Sequence, residues 1–442
     1  MSKTFYSLRF MNFRLWFVSN FFSATAIWMQ RVSQAWVVLT VLTSGSAFAV
    51  GVTTALQFAP QLLVGALGGV LADSVNRRRL LQVTQILVAL LGLVLGILLL
   101  TDNAHLYHVY LIAFVTGFSD AISVPVRQTF ISELVPRENL PNAVALNSTA
   151  FNTARLFGPA IAGVLIELVG PGWVFVVNCA IFSVPILTLT LMRQKYFFPH
   201  RCVPRHRGML REGFHYVRSR EDLKALIALI VVVSGLGFNF QITQAIMATQ
   251  VYGKGAGEYG LLGSMLAIGS LTGALLAARR SSSRFSLVLG AAGFFGIAEG
   301  AAALAPSYLT FALLMIPTGL CMMTVLVSSN SLIQITTPEE LRGRAISIYM
   351  MFNLGVTPFF APTVGWVGEY LGPRWSLGVG AIASILAVAV IFLVTKVRWR
   401  VSLHPSGSWP FVDIDGPRER AAAGRAAQGS ELNSPDCTGC GR

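Results

Sequence analysis

Charge is what this sequence has least of. Only 12% of its 442 residues are Asp, Glu, Lys or Arg, while 54% are hydrophobic. That balance excludes an ordinary soluble domain, in which about a quarter of residues are charged. The charge-free runs are long. None of these four types occurs between Arg31 and Asp73, and further runs follow Arg79, Lys224, Glu258, Glu299, Arg344 and Arg374. A bilayer-spanning helix needs roughly 20 such residues, so the runs read as membrane spans. Cysteine is scarce as well. Cys179 and Cys321 fall inside apolar runs and, with Cys202, Cys437 and Cys440, form no secreted disulfide framework. Cys437 and Cys440 have metal-ligand spacing but lack two further ligands. A Gly-rich turn ending in Gly-Lys-Ser/Thr is missing, which argues against direct ATP drive. No spaced set of His, Cys or carboxylates marks a catalytic centre, and no cofactor is implied.

What is present is helix. Apolar runs and turn residues predict twelve membrane-spanning helices, at 13–41, 48–72, 80–101, 107–134, 143–169, 173–192, 223–251, 259–278, 285–304, 308–335, 345–371 and 375–395. The first follows Lys3, Arg9 and Arg14, is too long for a signal-peptide core, and is expected to stay uncleaved. The net charge of +14 reads as a topology signal rather than a nucleic-acid footprint. With the N-terminus in the cytoplasm, nearly all loop bases fall on that side, and only Lys254 and Arg374 fall opposite. Both termini are therefore expected to be cytoplasmic.

The expected organisation is a six-helix half over 1–192, a basic connector over 193–222, a second half over 223–403 and a disordered tail over 404–442. The end of the connector, 210–219, reads either as an amphipathic helix on the anionic leaflet or as a solvated linker. An internal repeat supports the halves. An offset of 202 residues pairs Pro136 with Pro338, Ala143 with Ala345, Gly163 with Gly365, Glu167 with Glu369 and Trp173 with Trp375. The two copies share one orientation, as in transporters with parallel repeats.

Two motif blocks carry a family resemblance. Gly69-Val-Leu-Ala-Asp73 followed by Arg77-Arg78-Arg79 resembles the loop signature of the major facilitator superfamily, with Ser74 and Asn76 departing from it. Asn76 replaces a turn glycine, and Asn tolerates positive φ, so the turn is expected to persist. The block from Val124-Pro125-Val-Arg127-Gln128 through Pro136, Asn142-Ala143, Asn152 to Arg155 and Gly158-Pro159 is similar to the exporter branch that includes enterobactin and macrolide exporters. Pro338-Glu-Glu-Leu-Arg342-Gly343-Arg344 is its counterpart. The resemblance implies the major facilitator fold, an all-α protein of two pseudo-symmetric six-helix bundles. It also implies alternating access, proton-driven export across a bacterial inner membrane, and a gate at Gly69, Asp73, Arg77, Arg78, Arg342 and Arg344, with Asp73 latched to the helix start near Arg342.

Ionisable residues inside spans are functional candidates, since each costs about 2.5 to 3.5 kcal/mol to insert. Arg31, Asp120, Arg127 and Arg155 qualify. Helix rise sets Asp120 and Arg155 near mid-membrane, so a pair between the fourth and fifth spans is expected, with Asp120 loading the coupling proton. Arg127 is an alternative partner for Asp120, or for Asp73. Glu299 is expected to snorkel to the interface. Asn20, Gln34, Asn152, Asn239, Gln241, Gln244 and Asn330 are candidates to line a substrate cavity or to bridge helices. The expected partners are the bilayer, protons and a small amphipathic substrate, handled by a monomer. A lipid flippase of the same fold and a non-transporting receptor are the rival readings.

Overall fold

The computed structural model describes residues 3–74, 76–198, 209–278, 284–399, 403–405 and 412–414, except for side chains at 3–4, 63–74, 209–211, 278, 339–340 and from 396 onward. The first six helices are α1 (Met11–Trp36, continued by a π-helical turn over Val37–Leu42), α2 (Ala47–Ser74), α3 (Arg77–Leu100), α4 (Leu106–Phe130), α5 (Leu140–Val169) and α6 (Pro171–Leu191). A short α7 (Met209–Ser219) precedes a column made of α8 (Glu221–Val232) and α9 (Phe240–Ile246). Then come α10 (Ala256–Ala278), α11 (Phe285–Ala303), α12 (Tyr308–Thr336), a second broken column of α13 (Glu339–Gly355) and α14 (Thr357–Tyr370), and α15 (Pro373–Trp399).

Ten of these columns, among the described residues, are long and apolar enough to cross a membrane. The two others are α1 and α2. Asn20, Gln30, Arg31 and Gln34 dilute the apolarity of α1, and α2 runs into residues whose side chains are not described. The end of the bundle that carries the start of α1 is called the near end below. The other is the far end.

Packing is set by small residues that let backbones meet. A methyl group added to Gly96 would lie 3.0 Å from the Gly172 carbonyl oxygen, joining α3 to α6, and Gly273 brings α10 to 2.5 Å from the Leu320 carbonyl oxygen of α12 on the same measure. Further close pairs join α2 to α4 and α14, α5 to α1 and α10, and α11 to α12 and α15.

Three local expectations need correction. Asn76 does not adopt positive φ. At φ −61° it is an extended N-cap of α3, and its Oδ1 accepts the Arg79 N–H at 3.2 Å, so the side chain supplies by hydrogen bonding what the turn glycine supplies by freedom. The seventh column is not one helix. It passes through a π-helical Val233–Gly237 and a break at Phe238 and Asn239, because two glycines and a backbone-bonding Asn fall together. The tail includes two short antiparallel strands, Leu403–Pro405 and Val412–Ile414, and its Cys437 and Cys440 lie outside the described residues.

The connector end is the amphipathic helix α7 rather than a solvated linker, and it docks on α13. Gly213 allows the approach to Arg344 and Ile348, Phe214 meets Phe352 edge-on at 6.4 Å between centroids, and Glu212 pairs with Arg344. The following turn is tied by Arg220, which bonds Asp222, Tyr216 and the Thr336 carbonyl. Burial by itself lowers the Arg220 pKa, but its bonds to Asp222 and Tyr216 outweigh that and hold it above the ordinary value. The Glu212→Ala, Phe214→Ala protein is expected to undock α7. Limited trypsin digestion should then cut at Arg218 several-fold faster, and an unchanged rate would rule out the docking.

Candidate functional site

A polar cleft lies among the first six helices. Gln30 and Arg31 enter it from one turn of α1 and Gln34 from the next, Gln57 from α2, and Thr116 and Asp120 from α4, around a space of about 330 Å³. The spacing of three and four residues in α1 puts its three side chains on one face. Gln57 donates to Gln34 at 2.8 Å, and Asn178 of α6 donates to Gln30 at 3.3 Å. Gly117 of α4 packs on the Gln57 backbone, which lets α2 and α4 close the floor.

The acid in this cleft does not have the partner expected for it. Asp120 pairs with Arg31 of α1 at 3.1 Å, with the side chains 25% and 22% exposed respectively. Arg155 instead lies over the Trp28 ring at 5.3 Å, with Arg31 at 5.6 Å from the same ring. Two guanidiniums thus share one aromatic face system, and Arg155 has no ion pair among the described residues. Arg31 also meets the Phe58 ring at 5.4 Å. Arg127 borders an adjoining space with Asp120, Gln85 and Ser123, and its Nε is buried without a hydrogen-bond partner among the described residues. The charged residues of the cleft are legible in the sequence, but who meets whom is not, and Asn178 carries no sequence signal that marks it.

The weaker candidates divide. Asn20 donates to the Asn147 carbonyl, Asn152 to Ser148 and Asn239 to Gly235, so all three serve backbone. Gln244 reaches the Leu262 carbonyl and Met315 Sδ, both at 3.4 Å. Asn330 accepts from Gln334 within one helix, and the Gln241 carbonyl accepts from Tyr259. Most of these bridge or brace helices. Of the gate residues, Arg77 pairs with Glu133, Arg78 donates to the Thr190 carbonyl at 2.7 Å, and Arg344 holds α7. Arg342 keeps its Nε buried and without a hydrogen-bond partner among the described residues. Gly69 and Asp73 have side chains outside the described set, and the Asp73 latch lies outside it with them.

A pair of matched contacts joins helix ends at the far end. Glu369, at the end of α14, accepts from Phe48 N–H at 3.0 Å and Ser46 Oγ at 2.7 Å, at the start of α2. Glu167, at the end of α5, accepts from Gly257 N–H at 2.8 Å, at the start of α10. One turn below each acid a glycine touches the same helix start: Gly365 meets Ala47, and Gly163 meets Ala256. Both acids and both glycines are repeat mates at the 202-residue offset. Each carboxylate sits where free N–H groups and the helix dipole favour an anion.

Residues 2–419 match the family model of the transmembrane secretion effectors. The chain belongs to that family, within the major facilitator superfamily, and is a multi-pass membrane transporter rather than an enzyme. It is 21% identical over 386 residues to the staphyloferrin A transporter of Staphylococcus aureus, covering 87% of this chain and 96% of that one. It is 24% identical over 400 residues to the enterobactin exporter of Shigella flexneri, with coverage of 88% and 92%. The multidrug efflux pump Tap of Mycolicibacterium fortuitum is 25% identical over 366 residues, with coverage of 80% and 87%. Among solved structures, a POT family transporter aligns with a TM-score of 0.69 at 12% identity, covering 87% and 96% of the two chains. A bacterial homologue of the lysosomal transporter spinster aligns at 0.66 and 15%, covering 88% and 97%. These structures share the fold.

Proposed function

We propose that the protein is a proton-coupled antiporter that exports small amphipathic molecules of the drug or siderophore type across the bacterial inner membrane. It works as a monomer of twelve spans, in two six-helix halves over 1–192 and 223–403 joined by 193–222. The observation that carries the coupling is the Asp120–Arg31 pair at 3.1 Å in a polar cleft among apolar helices. An acid held against a fixed cation, and still a quarter exposed, is a group that changes of water access can load and unload. The substrate class is suggested by the siderophore and drug exporters among the relatives. The matched contacts of Glu167 and Glu369 support alternating access, since a gate between halves needs contacts that form and release as units. The near end is cytoplasmic in this reading.

The test is transport by the purified protein in vesicles. With an acidic interior, a siderophore or a cationic dye should accumulate through inverted copies, and a protonophore should abolish the accumulation. Uptake indifferent to the gradient would overturn proton coupling. The topology is checked separately. A cysteine at Ser44 or Asn103, both exposed at the far end, should react with an impermeant thiol reagent from outside, and one at Ser282 should not.

A further inference from the structure

A second acid is sealed in the other half of the chain. Glu299 lies in α11, one turn before its end, and is 0% exposed. Neither carboxylate oxygen has a hydrogen-bond partner among the described residues. The expected snorkelling does not occur, because the side chain turns inward to two glycines. A methyl group on Gly380 of α15 would fall 2.9 Å from both Glu299 oxygens and 2.9 Å from the Gly237 Cα. One on Gly237 would fall 3.3 Å from Oε2 and 2.6 Å from the Phe295 ring. Phe238 and Phe240 stand edge-on to Phe295, with centroids 5.2 and 6.2 Å away. Backbone from two helices thus closes over the acid, with aromatic rings alongside.

A buried polar group without a partner costs free energy, and a buried charge costs far more. Packing alone does not account for an acid here, since any apolar side chain of that size avoids the cost. The lid over it is also the irregular part of its column. Gly237 ends the π-helical turn, and Phe238 and Asn239 are non-helical. Such insertions recur at functional sites, and broken spans in transporters commonly adjoin coupling-ion sites. The ionisable surroundings are sparse. No other residue of α11 ionises, and the α8–α9 column has no charged residue from Ala225 to Val251. On α12 the titratable residues are Tyr308 and Cys321. Arg374 of α15 lies one turn beyond Glu299, where it donates to the Ala303 and Ala305 carbonyls at 2.8 and 3.0 Å. At the other end of α15 are Lys396 and Arg398, and the strand Val412–Ile414, which also touches α11, carries Asp413.

We propose that Glu299 is a proton-binding site of the second half, separate from Asp120. The carboxyl holds its proton while Gly237 and Gly380 are in contact. It releases the proton when the column bends at Phe238 and Asn239 and water reaches the acid. The proposal rests on the transporter reading above, and the experiment separates the two.

Dicyclohexylcarbodiimide is an apolar reagent that adds to protonated carboxyl groups. The acid proton moves to a carbodiimide nitrogen, the carboxyl oxygen attacks the central carbon, and the acyl group migrates to nitrogen with nothing lost. Peptide mass spectrometry of the full-length protein in vesicles should find the adduct on Glu299, declining as pH rises. Glu299→Gln, neutral and of the same size, should bind and exchange substrate at equal pH but move fewer protons per substrate than the unaltered protein. Absence of the adduct, or an adduct independent of pH, would overturn the proposal, as would an unaltered proton count in Glu299→Gln. If the unaltered protein shows no gradient-driven transport, the antiporter reading fails, and the labelling still reports on Glu299. Labelling that sodium suppresses at constant pH would make the ligand a metal cation and overturn proton binding.

Discussion

Vesicles containing the Asp120→Asn protein are expected to lose gradient-driven accumulation down to the level of protein-free vesicles, while exchange at equal pH on both sides continues. The reason lies in the surroundings of the pair. Asp120 and Arg31 are each about a quarter exposed, so removing the acid's charge leaves Arg31 in contact with water. Arg31 keeps the Trp28 and Phe58 rings at 5.6 and 5.4 Å as favourable neighbours. The lost charged hydrogen bond costs about 1.5 to 3 kcal/mol at most, which a well-packed bundle withstands. A purely structural pair predicts the reverse, with expression and thermal stability falling and gradient drive persisting in whatever protein survives. Expression, melting temperature and uphill transport measured on one preparation separate the two roles. A well-expressed Asp120→Asn protein that still pumps uphill eliminates Asp120 as the coupling group.

How far that pair was legible in the sequence shows what hydropathy carries. Charge-free runs located the spans, since insertion in lipid depends on summed apolarity and hardly on pattern. The same property hides rotation about each helix axis. With apolar residues on every face, the order of residues in α4 and α5 does not reveal that Asp120 turns to α1 while Arg155 turns to Trp28. Glu299 was misjudged for a related reason. Its depth in α11 fitted snorkelling, and nothing local records that Gly237 and Gly380 make room for it inward. The broken column of α8 and α9 had its signal in Gly235, Gly237 and Asn239, which a scan for charge-free length passes over. The repeat was the most informative feature. Glu167 and Glu369, with Gly163 and Gly365, are unremarkable singly, and only their common offset marks them as one contact made twice.

That contact leads to the second large effect. Replacing both acids, Glu167→Gln with Glu369→Gln, should open the far end. A glutamine keeps a carbonyl to accept from the Phe48 and Gly257 N–H groups, so what is lost is the charge at each helix start. That loss is worth about 0.3 to 1 kcal/mol at an exposed site. At the upper value two of them give about 2 kcal/mol, or about a thirtyfold shift in the ratio of far-end-open to far-end-closed protein. The two sites are on different helix pairs, so their effects should nearly add. Spin labels at Ser44 and Leu371, exposed beside one contact, and at Val169 and Gly253, beside the other, report each gap separately. Each single variant should raise the population of the longer distance at both gaps, because the two contacts close one rigid interface. Lengthening confined to the altered contact would mean that the halves do not move as units. Unchanged distances in the double variant would leave the glycine packing at Ala47 and Ala256 as what holds the far end shut.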